Sequence, residues 1–303
     1  MKLITLKNIT IASSLAFALF SCGGGSDLEE TKENKDTTAA VAGPEIPEEV
    51  LADLITSIPT PLEMSSAIKE SGAKYDDKIL NDPSNIDNYK TSYKQAFNLG
   101  VYGANLAYIN IYEKTLSSLE YLNAMRVLSD KLKVGQFFDF NQMRKFASND
   151  NNIDSLIFAS TMAFNNMDTE LRKQKRGNLS VLMVTGAWLE GLHVATQIVD
   201  KHPNKTIREK VGEQKMVLDN IFVILEMFKA DPFFKDVTDQ VQLIKNEYDK
   251  VKIDYIYKEP ESKVVNGRLV IIDNSTTEVK MTDENLKAIV KVTDQVRTKL
   301  INL

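Results

Sequence analysis

The stretches VYGANLAYINI at 101–111 and VTGAWLEGLHV at 184–194 share valine, glycine, alanine and leucine at the same places. Two further positions are aliphatic in both stretches. A second pair follows in the same order, LNAMRVLSDKLKVGQFF at 122–138 and LDNIFVILEMFKADPFF at 218–234. The matches are in register apart from one insertion in the second copy, so we interpret them as a duplicated helical hairpin.

The two copies, about residues 85–138 and 179–234, carry glycines inside helical patterns. A glycine in a helix interior costs about 1 kcal/mol relative to alanine, and close approach of another backbone is the expected compensation. This predicts one tight helix crossing at Gly103-Ala104 and another at Gly186-Ala187. These two sites are candidates for packing against each other. Two copies are too few for a long solenoid and favour a compact bundle. The glycines concerned are Gly100, Gly103, Gly186 and Gly191.

After Pro47 the apolar residues recur at helical spacing almost everywhere. A capping box at Thr60–Glu63, with Pro61 at the first helical position, predicts a helix start. One apolar stripe comprises Val237, Val241, Ile244, Tyr248, Val251 and Tyr255. Predicted helix ends are Gly72, Gly135, Gly177 and Pro232. The predicted helices are 48–57, 61–71, 85–112, 115–133, 140–147, 152–176, 179–201, 205–230, 234–257 and 282–301.

The stretch at 263–281, KVVNGRLVIIDNSTTEVKM, departs from the helical pattern. It is rich in valine and isoleucine and carries an Asn-Gly turn at 266–267, which predicts a small β-ribbon before the C-terminal helix. The predicted fold class is therefore all-α: a multi-helix bundle with an internal duplicated helical-hairpin unit and that ribbon. We expect residues 47–303 to form one helical domain.

Cys22 is the only cysteine. It follows an apolar run at 9–20 that is too short to span a bilayer, which needs about 20 residues, but that fits a secretory signal. Leu19-Phe20-Ser21-Cys22 resembles a bacterial lipobox, which implies removal of residues 1–21 and lipid attachment at Cys22. A buried thiol, a nucleophile or an intermolecular bridge are the other roles of a lone cysteine, but its glycine-rich surroundings offer no base. Residues 22–46 have the composition of a disordered acidic tether.

The lipobox and tether, together with IPTPLEM at 58–64, FNLGVYGANLAY at 97–108 and GAWLEGL at 186–192, resemble the helical outer-membrane lipoproteins of Bacteroidota. The resemblance implies a lipid-anchored protein of the outer membrane, on its periplasmic face or at the cell surface. That family has no established activity, so the resemblance implies no catalytic residue.

The formal net charge is −5, which argues against a nucleic-acid partner because nucleic-acid binding requires a concentrated basic face. The strongest basic cluster is Arg172, Lys173, Lys175 and Arg176. We interpret it as a helix C-terminus capped by Gly177, where cations complement the helix dipole. A patch for phosphate or lipid headgroups is the alternative.

Polar and aromatic residues on the two repeated helices form a candidate cleft, and the repeat aligns Asn105 with Trp188 and Asn110 with His193. The alternative is that they fill polar gaps in an ordinary bundle. Glu190 and His193 form one Glu-x-x-His pair, but a di-iron bundle needs two, so we predict no metal, no cofactor and no catalytic group. The candidate cleft residues are Asn105, Tyr108, Asn110, Trp188, Glu190 and His193.

Three functions remain open. The first is a non-enzymatic interaction or scaffold protein with an envelope protein partner, which an exposed apolar patch would favour. The second is a small-ligand-binding protein, which a pocket lined by Trp188 and Tyr108 would favour. The third is a metal-assisted enzyme using Glu190 and His193, which needs carboxylates within metal-binding distance of one imidazole.

Overall fold

A computed structural model describes residues 47–58, 61–147, 153–265, 268–272 and 276–303. Several sequence predictions lie outside these residues: the signal at 1–21, the lipidated Cys22, the tether at 22–46, the cap residue Thr60 and the Asn-Gly turn at 266–267.

The described chain is all-α apart from a small β-ribbon before the last helix, as predicted. Short 3-10 turns at Asp77–Ile79, Pro83–Asn88 and Gly135–Phe137 connect some of the helices. The helices are α1 (Glu48–Thr56), α2 (Pro61–Glu70), α3 (Ser92–Ile111), α4 (Thr115–Lys131), α5 (Phe140–Ala147), α6 (Ile153–Lys173), α7 (Gly177–Lys201), α8 (Lys205–Met227), α9 (Pro232–Tyr248) and α10 (Asp283–Leu300).

The predicted repeat copies contain two helical hairpins, α3–α4 and α7–α8. Residues 112–114 connect the first pair and residues 202–204 connect the second, so each connection has the same length. The two leading helices, α3 and α7, pack along each other at the centre of the bundle. α4 lies against α3, and α8 lies against α7.

The α3–α7 crossing is tight because two glycines face the opposite backbone. A side-chain carbon added at Gly100 would overlap the Met183 carbonyl, and one added at Gly186 would overlap the Phe97 carbonyl. The predicted crossing at Gly186 is therefore confirmed, but its counterpart is Gly100. At Gly103 the close neighbour is on α6, because a carbon added there would meet the ring of Phe164 at 3.1 Å, so Gly103 does not face Gly186 as expected.

The start predicted for α3 and the role predicted for Pro232 are wrong for local reasons. α3 begins at Ser92, not near 85, because Asp82 and Pro83 start a separate 3-10 turn and the Thr91 hydroxyl accepts from the Lys94 amide at 3.3 Å. Pro232 starts α9 and does not stop α8, because Asp231 caps the new helix through the Phe233 amide at 2.8 Å.

Gly177 is the first residue of α7 and does not cap α6. The left-handed residue after α6 is Lys175, with φ 58°. The basic cluster does lie at the C-terminal end of α6, where Arg172 pairs with Asp168 at 2.9 Å. Arg176 Nη1 donates to the Leu132 carbonyl at 2.7 Å, so both arginines serve packing within the bundle.

The β-ribbon is longer than predicted and starts at Lys252. Strand β1 (Lys252–Ile256) pairs antiparallel with β4 (Thr276–Lys280), and β2 (Glu261–Val265) pairs antiparallel with β3 (Arg268–Ile272). The predicted helix 234–257 therefore ends early, at Tyr248. The apolar stripe is buried through Val251, whereas Tyr255 is 63% exposed on β1.

Within the described residues, α7 alone has the length and apolar composition to cross a membrane. Almost all of its apolar window is buried against other helices. Its composition is thus explained by its central place in the bundle, since a helix that is apolar on most sides is a buried one.

Candidate functional site

Glu190 on α7 is fully buried at the centre of a polar network. Arg297 on α10 donates to both of its carboxylate oxygens, from Nε to Oε2 and from Nη2 to Oε1, each at 2.8 Å. Asn105 on α3 donates its amide to Oε1 at 2.7 Å. This one carboxylate therefore joins three helices, and both of its oxygens are occupied.

The ion pair determines the protonation of both partners. Burial by itself raises the pKa of Glu190, but the charge and hydrogen bonds of Arg297 outweigh burial and hold that pKa below its usual range. Burial likewise opposes the charge of Arg297, yet Glu190 raises its pKa above the ordinary value. Both groups are charged at neutral pH, which suits bidentate pairing and not proton transfer.

The network continues from Asn105 to Asn81, in the connection between α2 and α3. The Asn105 side-chain oxygen accepts from the Asn81 amide at 3.2 Å. The Asn81 side chain donates to the Tyr89 hydroxyl at 2.9 Å and accepts from Asn85 at 2.9 Å. The Tyr121 hydroxyl on α4 donates to the Asn81 carbonyl at 2.8 Å. This irregular connection is thereby fixed to the bundle by its own buried polar groups.

His193 lies one turn after Glu190 and is also buried. Its Nε2 is 3.2 Å from the Ile79 carbonyl oxygen, while its Nδ1 is buried without a hydrogen bond. Asp294 Oδ1 on α10 lies 3.8 Å from Nδ1. Burial lowers the pKa of His193, despite the opposite effect of Glu190, so the imidazole is neutral at neutral pH.

Tyr108 and Asn110 make separate contacts near the end of α3. The Tyr108 hydroxyl accepts from the Asp76 amide at 3.1 Å, and its ring stacks on Tyr75 with centroids 5.4 Å apart. The Asn110 oxygen accepts from the Ser118 hydroxyl on α4 at 2.8 Å, which ties the first hairpin together.

Trp188 lies on another side of α7. Its indole Nε1 donates to Gln214 on α8 at 3.1 Å, and it lines a pocket with Met64 and Val217. The six predicted cleft residues are therefore all buried. The structure brings Asn105 and Glu190 into contact and places His193 beside Glu190. Tyr108, Asn110 and Trp188 each have other partners.

Within the described ranges, no three His, Cys, Asp or Glu side chains are placed to bind one metal ion. Glu190 has no free oxygen for a metal, because Arg297 and Asn105 occupy both.

An open groove between α5 and α6 exposes large apolar side chains. Phe158 is 68% exposed and Met162, one turn later on α6, is 44% exposed. Both line a groove of about 1090 Å³ that includes its open mouth, with Phe137 and Phe146 along it. The carboxylates of Asp139 and Asp154 belong to the same lining, as do Gln142, Met143, Ser155, Ala159, Ala163 and Asn166.

No family model, curated protein or solved structure matches this chain. The site is therefore defined by its own geometry.

Sequence reasoning missed Arg297 and Asn81. The signal for Arg297 is a general one: a glutamate predicted on the most apolar helix needs a buried cation, and bidentate geometry favours arginine. Arg297 follows Val296 on the buried side of α10, at the edge of the stripe formed by Ile289, Thr293, Val296 and Leu300. Asn81 carries no such signal, because its role depends on the path of an irregular segment.

Proposed function

We propose that this protein is a lipid-anchored, non-enzymatic docking protein of the cell envelope, which binds an amphipathic helix of an envelope protein in the α5–α6 groove. The observation that carries the proposal is the exposure of Phe158 and Met162, one turn apart on a single helix face beside the open groove. Large apolar side chains that line a groove are a usual feature of helix recognition sites.

The state of the buried polar groups supports a binding role over catalysis. A general acid or base must reach a substrate and titrate near the working pH. Glu190 is paired with Arg297 on both oxygens, and His193 is enclosed between α7, α10 and the Ile79 carbonyl. Neither side chain is accessible to a ligand from solution.

The lining of the groove favours a particular kind of partner. Its floor is apolar, and its charged members, Asp139 and Asp154, are both acidic. An amphipathic helix with apolar residues at i, i+3 and i+4 and basic residues at its flanks would match both features. The net charge of −5 favours the same partner at long range.

The protein's own N-terminal segment fits the groove poorly. Residues 23–46 contain almost no large apolar side chains, so this tether could not bury Phe158 and Met162. A tether of that length would instead place the bundle roughly 25–30 Å from the membrane. This arrangement suits capture of a partner that lies in or on the same membrane.

A smaller apolar slot supports a second candidate function, binding of a small apolar ligand. It has a volume of about 540 Å³ with its open mouth, and Gly103, Leu106, Met125 and Phe164 lie along it. A neutral fluorescent probe such as N-phenyl-1-naphthylamine would bind there with saturable fluorescence, and Gly103→Leu, which fills the slot, would abolish it.

Site-specific photocrosslinking tests the docking proposal directly. Benzoylphenylalanine would replace Phe158 in one variant and Leu243 in its matched control, which is exposed to 45% on α9 outside the groove. In native membranes the Phe158 position should give a discrete crosslink to one envelope protein. Peptide mapping should place that crosslink in an amphipathic helix with basic flanks. Equal crosslinking from both positions, or none from Phe158, would contradict the proposal.

A further inference from the structure

A pocket between α2, α7 and α8 belongs neither to the network around Glu190 nor to the α5–α6 groove. It has a volume of about 660 Å³ with its open mouth. It also shares no lining residue with the apolar slot at Gly103. Its apolar walls are formed by side chains that are more than nine-tenths buried, namely Met64, Trp188, Leu192 and Val217.

Gly191 leaves open space in the wall that α7 contributes. A glycine in a helix interior costs about 1 kcal/mol relative to alanine. Gly100 and Gly186 are explained by the opposite backbone at the α3–α7 crossing. Gly191 has no such explanation, because outside its own turn of helix no atom lies within 4 Å of a side-chain carbon added there. The space that this glycine keeps open is therefore available to a ligand.

Trp188 lies one turn before Gly191 and lines the same pocket. Its indole Nε1, the only polar atom of the side chain, already donates to Gln214 at 3.1 Å. The indole is thus held in place by α8, and it offers a ligand aromatic surface and no free donor. A wall of this kind suits an apolar or aromatic group.

The charged residues of the lining favour a positive ligand. Two of them, Glu63 and Glu213, are acidic, and Lys210 is basic. Lys210 Nζ pairs with Glu213 Oε2 at 2.8 Å, so these two charges offset each other. The exposed carboxylate of Glu63 remains as the net charge of the lining. The net charge of −5 on the chain favours the approach of a cation as well.

We propose that the α2–α7–α8 pocket binds a small organic cation, whose apolar body lies beside Trp188 in the space at Gly191 and whose charged group pairs with Glu63. An amine that carries one aromatic ring has both features. Burial of the ring supplies most of the affinity. The ion pair adds a smaller amount, because pairs that are exposed to water contribute little.

The fluorescence of Trp188 tests this proposal without a label, because it is the only tryptophan in the chain. Phenethylamine would be titrated into the full-length Cys22→Ser chain, and 3-phenylpropionate would serve as the anionic compound of similar size. Phenethylamine should change the tryptophan emission saturably. Over the same range of concentration, 3-phenylpropionate should give no saturable change.

Variants in the same background test the two halves of the pocket separately. Gly191→Leu fills the space beside Trp188 and should abolish the saturable change, with unchanged helical circular dichroism. Gly103→Leu alters the other slot and should keep the response of the parent chain. Glu63→Gln should weaken phenethylamine binding about two- to fivefold, as expected for an exposed ion pair. Its matched control, Glu70→Gln, lies on α2 outside the pocket and should bind like the parent.

Three results would each overturn the proposal. They are no saturable change with phenethylamine, equal binding of the amine and the carboxylate, and undiminished binding in Gly191→Leu. Equal affinities of Glu63→Gln and Glu70→Gln would also overturn it, because the cation would then be bound without the carboxylate that selects it.

Discussion

Glu190 and Arg297 are 107 residues apart in the chain and form two parallel hydrogen bonds of 2.8 Å in the interior of the bundle. The pair joins the central helix α7 to the C-terminal helix α10, which follows the β-ribbon. Asn105 extends the same network to α3 and to the connection that holds Asn81. A single buried carboxylate thereby links the last helix to both central helices, α3 and α7.

We expect strong coupling between Glu190 and Arg297. Glu190→Gln should lower the free energy of unfolding by about 3–5 kcal/mol, because it leaves a buried guanidinium without a counter-charge. The double variant Glu190→Leu/Arg297→Met removes both charges and should be more stable than either single variant, Glu190→Leu or Arg297→Met. Urea unfolding followed by circular dichroism measures all of them, and additive effects of the two single changes would contradict this account.

His193 should make the protein less stable in mild acid. Its pKa is lowered in the folded state by burial, below the ordinary value of 6.5, so the unfolded chain binds the proton more readily. Stability is then fully present above pH 6.5 and is lost as the pH falls below that value.

The measurement for His193 is the free energy of unfolding at about pH 7.5 and about pH 5.5. Wild type should be less stable at the lower pH, and His193→Gln should show a smaller difference between the two. Glu190 also has a lowered pKa, but its effect belongs below its ordinary value of 4.5 and is separate. An identical pH dependence in both proteins would refute the role of His193.

Two glycines on α7 should respond in opposite ways to the same substitution. Gly186→Ala forces a methyl group into the Phe97 carbonyl and should destabilise the protein by more than about 1 kcal/mol through overpacking. Gly191 has no atom within 4 Å of an added side-chain carbon, so Gly191→Ala should be neutral or stabilise by up to about 1 kcal/mol. Thermal unfolding of both variants checks the contrast, and equal effects would contradict the crossing.

Much of the helical fold could be predicted because apolar spacing is a local property of the sequence. The bounds predicted for α1, α2, α5 and α10 differ from the structure by about one residue. The predicted helix boundaries are wrong where one residue type can either end a helix or begin one. Proline does both, and here Pro232 begins α9 because Asp231 before it caps that helix.

The candidate site was harder to predict because its contacts are long-range. The repeat identified polar positions on α3 and α7, and Asn105 and Glu190 do meet. The α5–α6 groove was not predicted, since Phe158 and Met162 fit a helical apolar face whether or not a neighbour covers it. Which apolar faces remain uncovered depends on how the helices are arranged in space.

The lipid anchor remains a prediction from the sequence. Cys22→Ser should abolish incorporation of labelled fatty acid and release the protein from the membrane fraction. Its helical circular dichroism should stay unchanged, because Cys22 precedes every described helix. Ser21→Thr, which keeps the cysteine and a hydroxyl side chain before it, serves as the control and should still take up label. Uptake of label by the Cys22→Ser chain would show that the lipobox interpretation is wrong.

The central claim is that the α5–α6 groove binds a partner helix, and its most direct test is an affinity measurement. A synthetic helix identified by crosslinking at Phe158 would be titrated by fluorescence anisotropy into wild type, Phe158→Glu and the surface control Leu243→Glu. Loss of a buried phenylalanine contact, worth about 1.5–3 kcal/mol, should weaken binding by about 10- to 100-fold in Phe158→Glu. Leu243→Glu should bind like wild type. Equal affinity of Phe158→Glu and wild type would contradict the account.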